Sequence, residues 1–209
     1  MSFCAIGLRA HSGWAALVAL AGTRRAPEVV SRSRIEMADP AIRGSKQPYH
    51  EAEEMELRDA ARYLARCERA SLKLARAGLG GAIEELAERG HRPEACGILL
   101  AAGAPLPELA SILASHARIH TADGEHFRSA LAAAARERGL EVVRVRERDA
   151  AAAVASELRV AAEDLVRRVQ DMRATLGPPW TQDQKLATLA AWHAMSREAR
   201  PAPSGRTEA

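Results

Sequence analysis

The stretch Ala5-Ile6-Gly7-Leu8-Arg9-Ala10-His11-Ser12-Gly13-Trp14 decides how this chain is read, because two apolar runs meet in it across a short polar turn. Phe3 to Leu8 is apolar and gives way to Arg9, His11 and Ser12; Trp14 to Ala21 resumes directly after Gly13. Short apolar runs bounded by turn residues read as buried strands. The tight separation makes these two a hairpin. The alanines and leucines of the second run also suit a helix, but turn signals at Ser12-Gly13 and Gly22-Thr23 cut it to strand length. A third run, Val29 to Met37, sets Val29, Ser31, Ser33, Ile35 and Met37 against Val30, Arg32, Arg34 and Glu36. That alternation predicts a half-exposed strand at a sheet edge, where charges discourage pairing with another chain.

Beyond the third strand the pattern lengthens to helical spacing. Asp39 to Pro48 reads as a loop, and Tyr49 to Ala77 as a long helix interrupted by Gly78, Gly80 and Gly81, with Ala82 to Arg89 as a second helical piece. Ala95 to Ala101 is an apolar run that suits a central strand covered on both faces. Pro107 to Ala114 is expected to be a short helix, and Thr121 to cap another that runs to Arg138, with Asp123 and Glu125 near its positive end. Leu140 to Val145 carries three valines and reads as a fifth strand. Arg148 to Thr175 reads as one long helix, broken at Gly177-Pro178-Pro179 before a last helix from Gln182 to Ser196. The predicted order is β-β-β-α-β-α-β-α in a domain spanning 1–198. The Pro-, Ser- and Gly-rich end, 199–209, is expected to be a disordered tail.

Composition narrows the function classes without choosing one. Aromatic residues make up 3% of the 209, too few to furnish aromatic platforms for stacking bases. The net charge of +3 is a weak pointer to a polyanion, and the arginine and alanine richness is what a GC-rich genome produces. Cys4, Cys67 and Cys96 lie far apart with no CxxC pair, so reduced core thiols are expected rather than disulfides or a cysteine zinc site. The first residues hold no basic segment followed by an apolar core, and the longest apolar run, Trp14 to Gly22, is too short to span a bilayer. The expectation is a cytoplasmic protein with no membrane partner.

Three hairpin-connected strands followed by helix–strand alternation resemble the RNase H-like superfamily. The turn Ile6-Gly7-Leu8-Arg9-Ala10-His11-Ser12-Gly13-Trp14 is similar to that of RuvC-like Holliday-junction resolvases, which carry an Ile-Gly-Ile-Asp-Pro-Gly type turn, then Gly and often Trp opening strand two. The helix Asp183-Gln184-Lys185-Leu186-Ala187-Thr188-Leu189-Ala190-Ala191-Trp192-His193 resembles their last helix, where an acidic motif precedes an Ala/Leu-rich run and a His. The resemblance implies an α/β fold with a five-stranded mixed sheet, three antiparallel strands and then alternating helix and strand, flanked by helices. It also implies that Arg9 stands where a metal-binding aspartate belongs. Two-metal phosphodiester hydrolysis needs several carboxylates to hold two Mg²⁺ or Mn²⁺ ions about 4 Å apart. A second acid belongs near the end of the fourth strand, and 95–104 contains none; the last helix offers Asp183, with Lys185 and Leu186 where another acid would help. One acid cannot hold two cations. The resemblance thus implies a degenerate relative that binds nucleic acid without conventional two-metal cleavage, with Mg²⁺ or Mn²⁺ relevant only if it is an enzyme.

Two groups of residues still carry chemistry. Arg9, His11 and Ser12 are candidate binding residues, and the fold implied above brings strand one near the last helix, so an Arg9–Asp183 ion pair is expected where metal would otherwise sit. His116, His120 and Asp123 fall at i, i+4 and i+7, with Glu125 and His126 just after, the densest ligand-capable cluster in the chain. A helix break before Thr121 spoils that common face, which favours capping acids and hydrogen-bonded histidines over a metal site. Arg144, Arg146 and Arg148 are mixed with Glu141, Glu147 and Asp149, which favours a solvated, self-neutralised edge over a phosphate-contacting one. Trp180 and Trp192 are expected to anchor the last helix to the core. Two further readings stay open: a protein-interaction or regulatory module, such as a homodimer through the long helices, and a metal-dependent hydrolase using His116, His120, Asp123 or Glu125.

Overall fold

The structure is a computed structural model and describes residues 2–101 and 105–198. The tail expected beyond residue 198 lies outside the described residues. Five strands form one sheet in the order β3-β2-β1-β4-β5. β1 (Ser2–His11) pairs antiparallel with β2 (Trp14–Thr23), and β2 with β3 (Ala26–Glu36). β4 (His91–Leu100) and β5 (Glu141–Arg146) extend the other side of β1 in parallel. This is the expected five-stranded mixed sheet, three antiparallel strands followed by two parallel ones, and β3 lies at an edge as its charge pattern requires.

Helices cover both faces, and the alternation along each strand assigns residues to them. Cys4, Ile6 and Leu8 of β1 face α2 (Leu57–Glu88) and α4 (His116–Glu137), joining Leu79, Leu86, Phe127 and Leu131 in one core. Ala5 faces the opposite way, into a second core with α5 (Ala150–Leu158), α6 (Ala162–Asp171) and α8 (Gln182–Glu198). Three short helices complete the described residues: α1 (Pro48–Glu51), α3 (Leu109–Leu113) and α7 (Arg173–Leu176). The three cysteines are free and buried. No helix among the described residues is long and apolar enough to cross a membrane.

Gly7 and Gly97 are paired neighbours on β1 and β4, and together they set the position of α8. A Cβ on Gly7 would lie 1.9 Å from the carbonyl oxygen of Ala187, and one on Gly97 2.0 Å from that of Ala190. The helix therefore rests backbone against strand, which only glycine permits. Thr181 starts it with a capping box: its hydroxyl accepts the Gln184 N–H at 3.3 Å while the Gln184 side chain accepts the Thr181 N–H at 3.0 Å. Trp192 is fully buried and donates to the Arg24 carbonyl at 2.7 Å, and Trp180 donates to the Val169 carbonyl at 2.7 Å. The tryptophans do tie the chain's last helical segment to the core.

Three helix expectations need correction. α2 runs unbroken through Gly78, Gly80 and Gly81, and starts at Leu57, with α1 a separate turn before it. The segment expected as one helix from Arg148 to Thr175 is α5, α6 and α7, preceded by a 3₁₀ turn at Glu147–Asp149; Arg159 takes a left-handed conformation, φ 57°, that ends α5. α4 begins at His116 after Ser115, so Thr121 is no cap; its hydroxyl donates to the Ala117 carbonyl inside the helix at 2.9 Å.

Candidate functional site

The close seating of α8 brings its first turn over the end of β1. Asp183, in that turn, accepts a hydrogen bond from Arg9 Nη1, and His11 Nε2 lies 2.8 Å from the same Oδ1. The other side of the Arg9 guanidinium is held by Glu147, just past β5: Nε donates to Oε2 at 3.1 Å and Nη2 to Oε1 at 3.3 Å. A planar guanidinium matches a carboxylate in this two-pronged way, which fixes its orientation as well as its charge. Arg9 thereby bridges two carboxylates from elements far apart in sequence, reaching past the end of β4. The site is half-sheltered, with side-chain exposure of 20% at Arg9 and 25% at Asp183.

His11 completes the cluster. Its Nε2 also touches Arg9 Nη1, and one ring nitrogen cannot serve both neighbours alike. Protonated, Nε2 donates to Asp183; unprotonated, it accepts from Arg9. The ring is held for either role by stacking on Trp14, centroids 4.3 Å apart and planes 8° from parallel, while Arg34 covers Trp14 with its guanidinium carbon 4.1 Å from the ring centre. Ser12 sits exposed in the turn.

Glu147 was invisible as a site residue in the sequence, where it reads as one charge among the arginines and acids after β5. Within that run Arg148 approaches Asp149 at 3.6 Å, whereas Arg144 approaches Glu125 of α4 at 3.7 Å.

The second cluster differs from its expected composition. Because α4 starts at His116, His116 and His120 do share a helical face, with their Nε2 atoms 3.1 Å apart. The third neighbour is His50, from α1, whose ring centroid lies 5.2 Å from that of His116 and 4.4 Å from that of His120. Asp123 stands behind His50 rather than beside the other two: its Oδ2 takes the His50 Nδ1 and its Oδ1 accepts the Tyr49 N–H at 2.7 Å. Asp123 is buried, and burial lifts its carboxyl above the ordinary range, opposed by the His50 and Tyr49 hydrogen bonds. Glu125 points elsewhere, to Arg128 at 2.9 Å and Ser129 at 3.3 Å. His50 escaped the sequence reading because it lies in α1, far from His116 in the chain, with no spacing to connect them.

His126, next to Glu125, belongs to the core. Its Nε2 bonds the Ser71 hydroxyl at 2.9 Å, its buried Nδ1 has no partner among the described residues, and burial drives its pKa from 6.5 down to about 4.

No protein-family model and no curated protein matches the chain. Among solved structures, it is similar to Thermus thermophilus RuvC in complex with a Holliday junction substrate, at 15% identity and a TM-score of 0.49 over 91% of each chain. A second Thermus thermophilus RuvC structure gives the same identity and TM-score over 92% of each chain.

Proposed function

We propose that this is an RNase H-like domain that binds nucleic acid without cutting it, its sheet-end site held by a built-in cation in place of bound metal. The observation that carries the reading is the bridging of Asp183 and Glu147 by the Arg9 guanidinium. Two carboxylates from the ends of separate elements, converging on one point, make a cation site; here the cation is covalently part of β1. An arginine in that position neutralises both acids and leaves neither available to a divalent ion. It also supplies no Lewis acid and no activated water, the two services a metal pair gives phosphodiester hydrolysis. Arg9 has five N–H groups and commits three to Glu147 and Asp183. The remaining donors at a half-sheltered, oriented guanidinium suit a backbone phosphate, as do His11 and the exposed Ser12 in the same turn.

Binding to linear and branched DNA, measured across a salt series, tests the proposal. Affinity is expected at low salt and to fall steeply as salt rises, since phosphate contacts release counterions. Absence of binding at low salt would remove the nucleic-acid role.

A further inference from the structure

We propose that His50, His116 and His120 bind a single Zn²⁺ ion that ties α1 to α4. One donor nitrogen from each lies within 4.8 Å of those of the other two. A tetrahedral zinc with bonds near 2.0–2.1 Å places its ligand nitrogens about 3.3 Å apart. The 3.1 Å between the Nε2 atoms of His116 and His120 is already close to that spacing. These two project from one helical face a turn apart, the arrangement that lets a single helix give two ligands to one ion.

The role of Asp123 is what distinguishes this cluster from histidines that merely meet at a surface. His50 gives its Nδ1 to the Asp123 carboxylate, which leaves Nε2 as its ligand atom. A carboxylate behind a ligating imidazole fixes its tautomer and ring orientation and raises its basicity. Asp123 is itself positioned: it is 4% exposed and pinned by the Tyr49 N–H. The sequence thus devotes a buried acid to aiming one histidine at two others. Asp123 is a positioning residue.

Three neutral imidazoles select for zinc over Mg²⁺ or Mn²⁺, which prefer oxygen donors. His116 and His120 are exposed, so solvent supplies the fourth ligand. The ion would fasten α1, a single turn at the end of the loop after β3, onto the side of α4. This site is separate from the Arg9 cluster and shares no residue with it, so the two proposals stand or fall independently.

The test uses the full chain, stripped with chelator and titrated with Zn²⁺ against a competing chromophoric chelator, with Mg²⁺ in parallel. One Zn²⁺ per chain is expected, with at least a 100-fold loss of affinity in His120→Ala and in His50→Ala, and no competition from Mg²⁺. Asp123→Asn should still bind one ion, 10- to 100-fold more weakly. Cobalt(II) offers a second readout: intense visible absorption typical of tetrahedral coordination, lost in His120→Ala. Circular dichroism of each stripped variant establishes that it is folded. Zinc affinity in the wild type equal to that of a folded His50→Ala/His116→Ala/His120→Ala protein would overturn the proposal, as would an unchanged stoichiometry and affinity in His120→Ala.

Discussion

The missing side chain of Gly7 is where the carbonyl of Ala187 lies: a Cβ on Gly7 would come within 1.9 Å of that oxygen. The helix that carries Asp183 can reach Arg9 because β1 has nothing in its way at this one position, and the same holds for Gly97 against Ala190. The site's geometry therefore depends on two glycines that carry no chemistry of their own.

Gly7→Ala should force α8 off the sheet and cost about 3 kcal/mol or more, at or beyond the upper end of ordinary overpacking, because the clash is with backbone on both sides. Gly81→Ala is the control. A Cβ there meets nothing within 4 Å, and in mid-helix the change should stabilise by roughly 0.5–1 kcal/mol. Urea unfolding of the two variants checks both signs.

The bridging of Asp183 and Glu147 by Arg9 should appear as coupling. In a double-mutant cycle of Arg9→Met with Asp183→Asn, the first change leaves Asp183 and Glu147 without their shared cation, and the second leaves Arg9 with Glu147 alone. The pair should cost less than the sum of the singles, by about 1–2 kcal/mol given its partial exposure. Additive losses would mean that the contact contributes nothing.

Acid should destabilise the fold through His126. Its folded pKa, about 4, lies below its ordinary 6.5, so the unfolded chain takes up the proton first. The resulting stability is fully present above pH 6.5, is lost as pH falls toward 4, and changes no further below that. The whole window is worth on the order of 3 kcal/mol at about 1.4 kcal/mol per tenfold of proton affinity. Thermal melting from pH 7.5 to 4.5 should show a shallower fall for His126→Gln than for the wild type. His193, lowered by burial and by Arg197, contributes in the same direction in both proteins and so drops out of the comparison.

What the sequence revealed was what is encoded locally. The three opening strands and the edge position of β3 follow from runs, turns and alternation over a few residues. The interrupting glycines of α2 misled because they answer to packing rather than to chain reversal: a Cβ on Gly78 would meet Ile35 at 2.6 Å, and one on Gly80 the Arg138 guanidinium at 2.4 Å. No residue type marks Arg159 as a helix stop. The Arg9–Asp183 contact was legible only through the resemblance, which puts strand one beside the last helix. Glu147 and His50 were not legible at all, since each enters its cluster by tertiary placement alone.

The most direct test of the central claim is to incubate the protein with branched and linear DNA at low salt, in Mg²⁺, in Mn²⁺ and in EDTA, and to measure binding and strand cleavage together. A cation supplied by Arg9 predicts equal binding with and without chelator and no cleavage under any condition. Mg²⁺- or Mn²⁺-dependent cleavage that disappears in Asp183→Asn would contradict it.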